Sequence, residues 1–198
     1  MKILIDNGHG WKTHGKCSPD KSLREYKWNR EIAKLIHAEL IRKGFNAQLI
    51  VPEDNDITLG ERCRRANNIW RDTGKNAILV SIHVNAAGNG EWKTARGWSA
   101  YTSRGKTKAD TLAAYLYKHA KKNMPGMKMR EDWSDKDPDI EADFYILKHT
   151  NCPAVLTENF FMDNKEDLAF IMSDEGKQKI VKMHVDGIVD YLKTELGL

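Results

Sequence analysis

Residues 77–83 read Ala-Ile-Leu-Val-Ser-Ile-His, an apolar run that ends in an ionisable side chain. A short run of this kind, rich in β-branched residues, is typical of a buried strand in a parallel sheet. Two other runs have the same form, because residues 2–6 lead to His9 and residues 154–157 lead directly to Glu158. The pattern predicts three strands that each bring a side chain of catalytic type to one edge of a sheet.

Helical patterns separate these strands along the chain. In each of them apolar residues recur at steps of three and four, which is the spacing of an amphipathic helix. The predicted helices cover residues 24–44, 58–70, 106–122, 164–172 and 174–196. Thr58 and Glu61 have the spacing of a capping box at the start of the second helix. Further strands are predicted at residues 46–51, 97–102 and 144–147, and the longest loop at residues 123–143.

This alternation of strands and helices predicts a single-domain α/β fold. We expect a mixed, mostly parallel twisted sheet with helices on both faces, and a site at the carboxyl ends of the strands. The 198 residues suit one domain, and they contain no internal repeat or linker-like tract. We therefore expect one domain over residues 1–198.

Composition excludes several classes of protein. No apolar run approaches the ~18–20 residues that cross a bilayer, so membrane insertion is not expected. The net charge of +4 is spread along the chain rather than massed in a basic stripe, which argues against nucleic-acid binding. The apolar stretch at the N-terminus is too short for a signal peptide, which predicts synthesis in the cytoplasm. The three cysteines are expected to be reduced thiols, since they are odd in number and widely spaced. We also expect a monomer.

The strand ends suggest a metal-dependent hydrolase. Two imidazoles, a carboxylate and an open position for water form the common catalytic zinc set, and a second carboxylate outside the metal moves protons. His9 and His83 are the candidate imidazoles, although a surface turn and a satisfied strand-end histidine are the alternative interpretations. Glu25 and Glu31 both lie near the start of a helix, and periodicity does not choose between them as the carboxylate ligand.

Glu158 is the candidate acid/base. It follows a buried apolar run directly and precedes two phenylalanines, so a solvated surface explains it poorly. An apolar setting raises the pKa of a carboxyl group and suits it to proton transfer. His14 and Cys17 lie close to His9 in the sequence but lack the paired spacing of a structural zinc site, so we predict a loop there.

Four segments resemble a known family, the zinc-dependent N-acetylmuramoyl-L-alanine amidases of the amidase-3 type. The first two are Ile-Asp-Asn-Gly-His-Gly at residues 5–10 and Glu-Tyr-Lys-Trp-Asn at residues 25–29. The others are Ser-Ile-His-Val-Asn-Ala at residues 81–86 and Pro-Ala-Val-Leu-Thr-Glu-Asn-Phe-Phe-Met-Asp-Asn at residues 153–164. The pattern Arg-x-x-x-Ala-Asn, which starts at Arg62, is also similar to the family. Residues 11–23 and 132–143 depart from the family pattern. The resemblance implies one catalytic amidase domain over residues 1–198 and no separate cell-wall-binding domain.

The resemblance implies roles for individual residues. One Zn²⁺ ion would be held by His9, Glu25 and His83, with Glu25 rather than Glu31 as the carboxylate ligand. Glu158 would be the catalytic acid/base, and Asn85 would position the substrate or brace the site.

The implied activity is hydrolysis of the amide bond between N-acetylmuramic acid and L-alanine in bacterial peptidoglycan. Peptidoglycan would therefore be the partner of this chain. The resemblance implies a phage or prophage endolysin, or another wall-lytic enzyme, that is made in the cytoplasm and acts on the wall after release or export. Two other hypotheses are a zinc peptidase that cleaves within stem peptides and a non-catalytic wall-binding module.

Overall fold

A mixed six-stranded sheet forms the centre of the structure, a computed structural model that describes residues 1–197. The strands are β1 (Lys2–Asn7), β2 (Ala47–Leu49), β3 (Ala77–Asn85), β4 (Ser99–Thr102), β5 (Ile140–Glu141) and β6 (Ala154–Phe161). Their order across the sheet is β2-β1-β3-β6-β4-β5. All neighbours are parallel except β4 and β6, which run antiparallel. The predicted mixed, mostly parallel sheet is confirmed.

Helices cover both faces of this sheet, as predicted. They are α1 (Glu25–Arg42), α2 (Leu59–Asp72), α3 (Lys108–Asn123), α4 (Tyr145–Lys148), α5 (Lys165–Met172) and α6 (Asp174–Leu196). Ile3 and Ile5 of β1 point into a core shared with α1, α3, α5 and α6. Leu4 points the other way, into a smaller core shared with α2 and α4. The alternation along β1 follows from the two-residue period of a strand, and it produces the three-layered fold.

Polar side chains fix where the helices begin. Thr58 precedes α2 and accepts a hydrogen bond from the backbone N–H of Glu61 at 3.3 Å, so the predicted N-cap is present. The other half of the predicted capping box is not formed, because the Glu61 carboxylate instead binds Arg64 and Arg65. Asn164, where the predicted fourth helix begins, caps α5.

One predicted element is wrong. Residues 144–147 were expected to form a strand, but Tyr145–Lys148 form the short helix α4. A run of four mostly apolar residues is too short for its periodicity to distinguish a strand from a helix. The edge strand β5 lies a few residues earlier, inside the segment expected to be an irregular loop.

The pairing of β3 with β6 positions two of the predicted site residues. His83 lies opposite Glu158, and both belong to the strands themselves rather than following their ends as predicted. The four residues of β6 from Glu158 to Phe161 then lie opposite three of β3, from His83 to Asn85, which is a β-bulge. Phe160 has a φ of 68° at this bulge. Because directly paired residues point to the same face, the imidazole and the carboxyl group share one side of the sheet.

Predictions from composition can also be compared with the structure. Across residues 1–197 no helix combines the length and the apolar character that a membrane crossing needs. The three cysteines are free thiols, as expected.

His184 of α6 is fully buried against β6. Its Nδ1 lies 2.8 Å from the carbonyl oxygen of Ile180, which only accepts hydrogen bonds, so Nδ1 carries the proton. The Thr157 hydroxyl lies 2.9 Å from Nε2 and donates to it. Burial lowers the pKa of His184 from 6.5 to about 4, because the charged form loses its hydration.

This burial makes stability depend on pH. Between pH 6.5 and pH 4 the unfolded chain binds a proton at residue 184 that the folded chain does not. The free energy of unfolding should therefore be fully retained above pH 6.5 and fall at lower pH, by up to about 1.4 kcal/mol per pH unit from this residue. In urea unfolding measured across this pH window, the free energy of unfolding of His184→Gln should change less steeply with pH than that of the wild type. His14→Gln, at an exposed position, is the control, and equal slopes for wild type and His184→Gln would contradict the assignment.

Candidate metal centre

Three predicted ligands converge at the carboxyl ends of β1 and β3. Nε2 of His9 lies 3.3 Å from Oε1 of Glu25, and Nδ1 of His83 lies 3.2 Å from the same oxygen. The two imidazole rings are 5.0 Å apart between centroids and nearly perpendicular. Of the His, Cys, Asp and Glu side chains in residues 1–197, these three alone form a group whose ligand atoms lie within 4.8 Å of one another. His14 and Cys17 are outside it.

The Gly-His-Gly sequence explains how His9 reaches this point. His9 follows β1 in a left-handed conformation, with a φ of 64°. A Cβ atom on Gly8 would lie 2.1 Å from Cε1 of His83, and one on Gly10 would lie 2.3 Å from the Cα of Asp56. Glycine is therefore needed at residue 8 for the backbone to pass this close to the second imidazole, and at residue 10 for it to pass the backbone of Asp56.

Glu25 is the first residue of α1, and its side chain is only 2% exposed. Its Oε1 accepts a hydrogen bond from the backbone N–H of Val84 at 3.1 Å and one from Nδ2 of Asn29 at 3.3 Å. Burial raises the pKa of Glu25, but hydrogen bonds and charge from His83 and His9 outweigh burial and hold the pKa far below its usual value. The carboxyl group is therefore ionised at neutral pH.

The second oxygen of Glu25 tests whether these residues fit a cation. Oε2 is buried and has no hydrogen-bond partner. An ionised oxygen without a donor is costly in a protein interior, and a cation held by this carboxylate would remove that cost. The donor set of one carboxylate and two imidazoles therefore fits a divalent cation.

Glu31, the alternative left open by periodicity, lies away from this group. Its side chain is 47% exposed and forms an ion pair with Lys177 of α6 at 2.7 Å. Six residues along α1 separate it from Glu25, which places the two side chains on different sides of the helix. The structure brings only Glu25 of this pair to the two imidazoles.

Glu158 lies beside the group but is not part of it. Its side chain is partly exposed, whereas its Oε2 is buried and has no hydrogen-bond partner. Burial raises the pKa of Glu158 well above its usual value, and the negative charge of Glu25 raises it further. The positive charge of Lys16 offsets part of this shift. A carboxyl group with a raised pKa is suited to proton transfer.

Two buried asparagines support the centre, and the sequence motifs that contain them predicted no role for either. Nδ2 of Asn29 donates to the carbonyl oxygen of Gly8 at 3.2 Å as well as to Glu25. Asn159 donates to the carbonyl oxygen of His83 at 3.0 Å and accepts from the Trp98 indole at 2.9 Å. The four-residue step from Glu25 to Asn29 was a usable signal, because it places both side chains on one helix face.

An open cleft of about 510 Å³ begins at His9 and His83. It runs toward Leu59 at the start of α2 and Ile146 of α4. Lys12 and Thr13 form part of its wall, so the segment 11–23 that departs from the family pattern contributes to the cleft. Among the described residues, the segment 123–143 contributes none of the lining.

Asn85 ends β3 and is partly exposed. Its Oδ1 accepts a hydrogen bond from the backbone N–H of Ala86 at 2.8 Å, and its carbonyl oxygen accepts one from Met162. It does not line the cleft. The substrate-binding role of Asn85 stays a prediction.

Solved structures of similar proteins have the same fold over nearly the whole chain. An N-acetylmuramoyl-L-alanine amidase from Clostridium difficile 630 is 27% identical with a TM-score of 0.82, and the match covers 98% of this chain and 97% of that one. The amidase AmiC2 of Nostoc punctiforme is 25% identical, also with a TM-score of 0.82, at 98% and 97% coverage.

Curated relatives agree with this comparison. The endolysin of Bacillus phage SPP1 is 30% identical over 98% of this chain, which spans 66% of the endolysin. The amidase LytC of Bacillus subtilis is 28% identical over 96% of this chain, which spans 35% of LytC. Residues 3–190 match the model of the amidase-3 family, described as N-acetylmuramoyl-L-alanine amidase. The chain belongs to this amidase family.

Proposed function

We propose that this chain hydrolyses the amide bond between N-acetylmuramic acid and L-alanine in peptidoglycan. The proposal is carried by one observation, the convergence of His9, Glu25 and His83 beside the carboxyl group of Glu158. Membership of the amidase family supplies the bond and the substrate class.

We propose Zn²⁺ as the metal, held by His9, Glu25 and His83. Two imidazoles and one carboxylate with an open position are typical of catalytic zinc sites. A bound Zn²⁺ ion would act as a Lewis acid on the scissile carbonyl and lower the pKa of a water molecule. The chain contributes the negative charge of Glu25, which hydrogen bonds to its Oε1 keep ionised.

Glu158 moves the protons of the reaction. It takes a proton from the attacking water and then gives a proton to the nitrogen of L-alanine as the C–N bond breaks. Its raised pKa suits both steps, because the carboxyl group holds a proton more readily than an ordinary glutamate and can pass that proton on to the leaving nitrogen. The open cleft that leads away from His83 leaves room for a branched polymer at the reacting bond.

The biological setting follows from the same family. The similarity to the SPP1 endolysin supports a wall-lytic role for this chain. Synthesis in the cytoplasm, action on the wall after release or export, and a monomeric state remain predictions.

Analysis of digested peptidoglycan tests the proposed bond. Mass spectrometry should find stem peptides with a free L-alanine amine, together with glycan strands that are intact and free of peptide. Peptides cut at an internal bond would contradict the amidase assignment and favour the zinc peptidase. A chelator should abolish the release of peptides, and added Zn²⁺ should restore it.

The role of Glu158 predicts the effect of Glu158→Gln. General acid–base groups contribute about 10²- to 10⁴-fold to rate, so kcat should fall by that factor while bound Zn²⁺ is retained. Turnover and metal content should be measured on the same preparation. Glu31→Gln is the matched control, since Glu31 lies on the far side of α1, and it should keep the wild-type kcat. Undiminished lysis by Glu158→Gln with metal bound would instead support a role without this acid/base.

The close approach at Gly8 predicts a loss of metal affinity in Gly8→Ala. The added methyl group would overlap the His83 ring, which must then leave its position beside Glu25. The Kd for Zn²⁺ should rise about tenfold or more. Gly60→Ala in α2 is the control, because the nearest atom to its Cβ is a hydroxyl at 3.7 Å. Equal Zn²⁺ affinity in the two variants would show that this packing does not fix His83.

A further inference from the structure

The backbone of His9 is held by two arginines from different helices. Its carbonyl oxygen accepts a hydrogen bond from Nη1 of Arg30 at 2.8 Å and one from Nη2 of Arg62 at 3.0 Å. Both arginines are buried, at 6% and 2% exposed. Two charged donors on one carbonyl oxygen are a strong restraint, because hydrogen bonds from ionised donors are stronger than neutral ones.

His9 needs such a restraint. It is a non-glycine residue in the left-handed region, between two glycines that leave the local backbone free to relax. A residue keeps this conformation only where its surroundings determine it. The two guanidinium groups hold the backbone of His9 in this conformation through its carbonyl oxygen. A change of the backbone out of the left-handed region would move this oxygen away from both groups.

Arg62 joins His9 to the strands of the centre. Its Nη1 donates to Oδ1 of Asp6 at 2.6 Å and to the carbonyl oxygen of Asn7 at 2.7 Å. The other carboxylate oxygen of Asp6 accepts from the Ser81 hydroxyl at 2.5 Å, two residues before the ligand His83. Arg62 therefore ties His9 to β1 and, through Asp6, to β3.

Arg30 joins His9 to α1, the helix that begins with the ligand Glu25. Its guanidinium also donates to the carbonyl oxygen of Glu53 at 3.1 Å and to that of Asn55 at 3.3 Å. These hydrogen bonds hold the guanidinium group of Arg30 between the segment after β2 and the backbone of His9. The two arginines together connect the elements that carry all three ligands.

We propose that Arg30 and Arg62 are positioning residues that pre-form the metal centre by holding His9 in its left-handed conformation. The proposal rests on the proposed metal site. Neither arginine is a ligand, and each acts on the metal only through the backbone of His9. Partners of metal ligands outside the coordination sphere typically contribute 10- to 100-fold to metal affinity.

Arg30→Met tests this inference, because it removes one donor and leaves the Arg62–Asp6 ion pair in place. The readout is the Kd for Zn²⁺, measured by competition with a chromogenic chelator. We expect the Kd to rise about 10- to 100-fold. At saturating Zn²⁺, kcat should fall with little change in KM, since Arg30 does not line the cleft.

Arg65→Met is the matched control. Arg65 also anchors the segment after β2, through the Ile50 carbonyl oxygen at 2.9 Å and the Glu53 carboxylate at 2.8 Å. It makes no hydrogen bond to His9, so its loss should leave the Kd for Zn²⁺ unchanged. Equal weakening by Arg65→Met and Arg30→Met would overturn the proposal, because the effect would then come from a loosened segment.

Two further outcomes separate this proposal from the proposed function. A wild-type protein that binds no Zn²⁺ would refute the metal site, and with it the positioning role of Arg30 and Arg62. Equally tight Zn²⁺ binding by the wild type and by Arg30→Met would refute the positioning role and leave the metal site in place. Circular dichroism checks folding, and Arg30→Lys serves if Arg30→Met does not fold. A lysine keeps the charge but lacks the planar guanidinium group that binds the carbonyl oxygens of His9, Glu53 and Asn55 together, so a Kd for Zn²⁺ equal to the wild-type value would also overturn the proposal.

Discussion

The buried, ionised carboxylate of Glu25 is the interaction on which the rest of the centre depends. A charge of this kind is costly inside a protein unless donors or cations surround it. Here the donors come from separate parts of the chain: the loop after β1 brings His9, α1 brings Asn29, and β3 brings His83 and the N–H of Val84. The need to compensate one carboxylate therefore ties three elements to a single point.

Two neighbouring carboxyl groups in this centre have pKa values that are shifted in opposite directions. Donors to its Oε1 keep Glu25 ionised, whereas burial raises the pKa of Glu158 and favours its protonated form. The negative charge of Glu25 is itself one cause of the raised pKa of Glu158. Environments that separate the pKa values of two neighbouring acids are how a protein assigns them different roles. One becomes suited to hold a cation and the other to carry a proton.

The sequence could predict those parts of the fold that follow from local periodicity. Apolar runs identified the central strands, and the parallel arrangement explains why His83 and Glu158 meet at one edge. Local pattern could not distinguish Glu25 from Glu31, because the choice depends on how α1 is rotated against the sheet, and this is a tertiary property. The strand expected at residues 144–147 failed for a related reason, since so short a run is compatible with either structure and packing on α2 decides.

The conformation of His9 marks the limit of such reasoning. Its two glycine neighbours indicate a sharp bend, but they leave the direction of the imidazole undetermined. That direction depends on Arg30 and Arg62, which lie 21 and 53 residues away and carry no local sign of contact with a histidine backbone. A ligand on a loop gains the precision of a ligand on a strand when rigid elements fix its backbone. In this chain two helices do so, because their buried guanidinium groups must find acceptors and the carbonyl oxygen of His9 provides one for each.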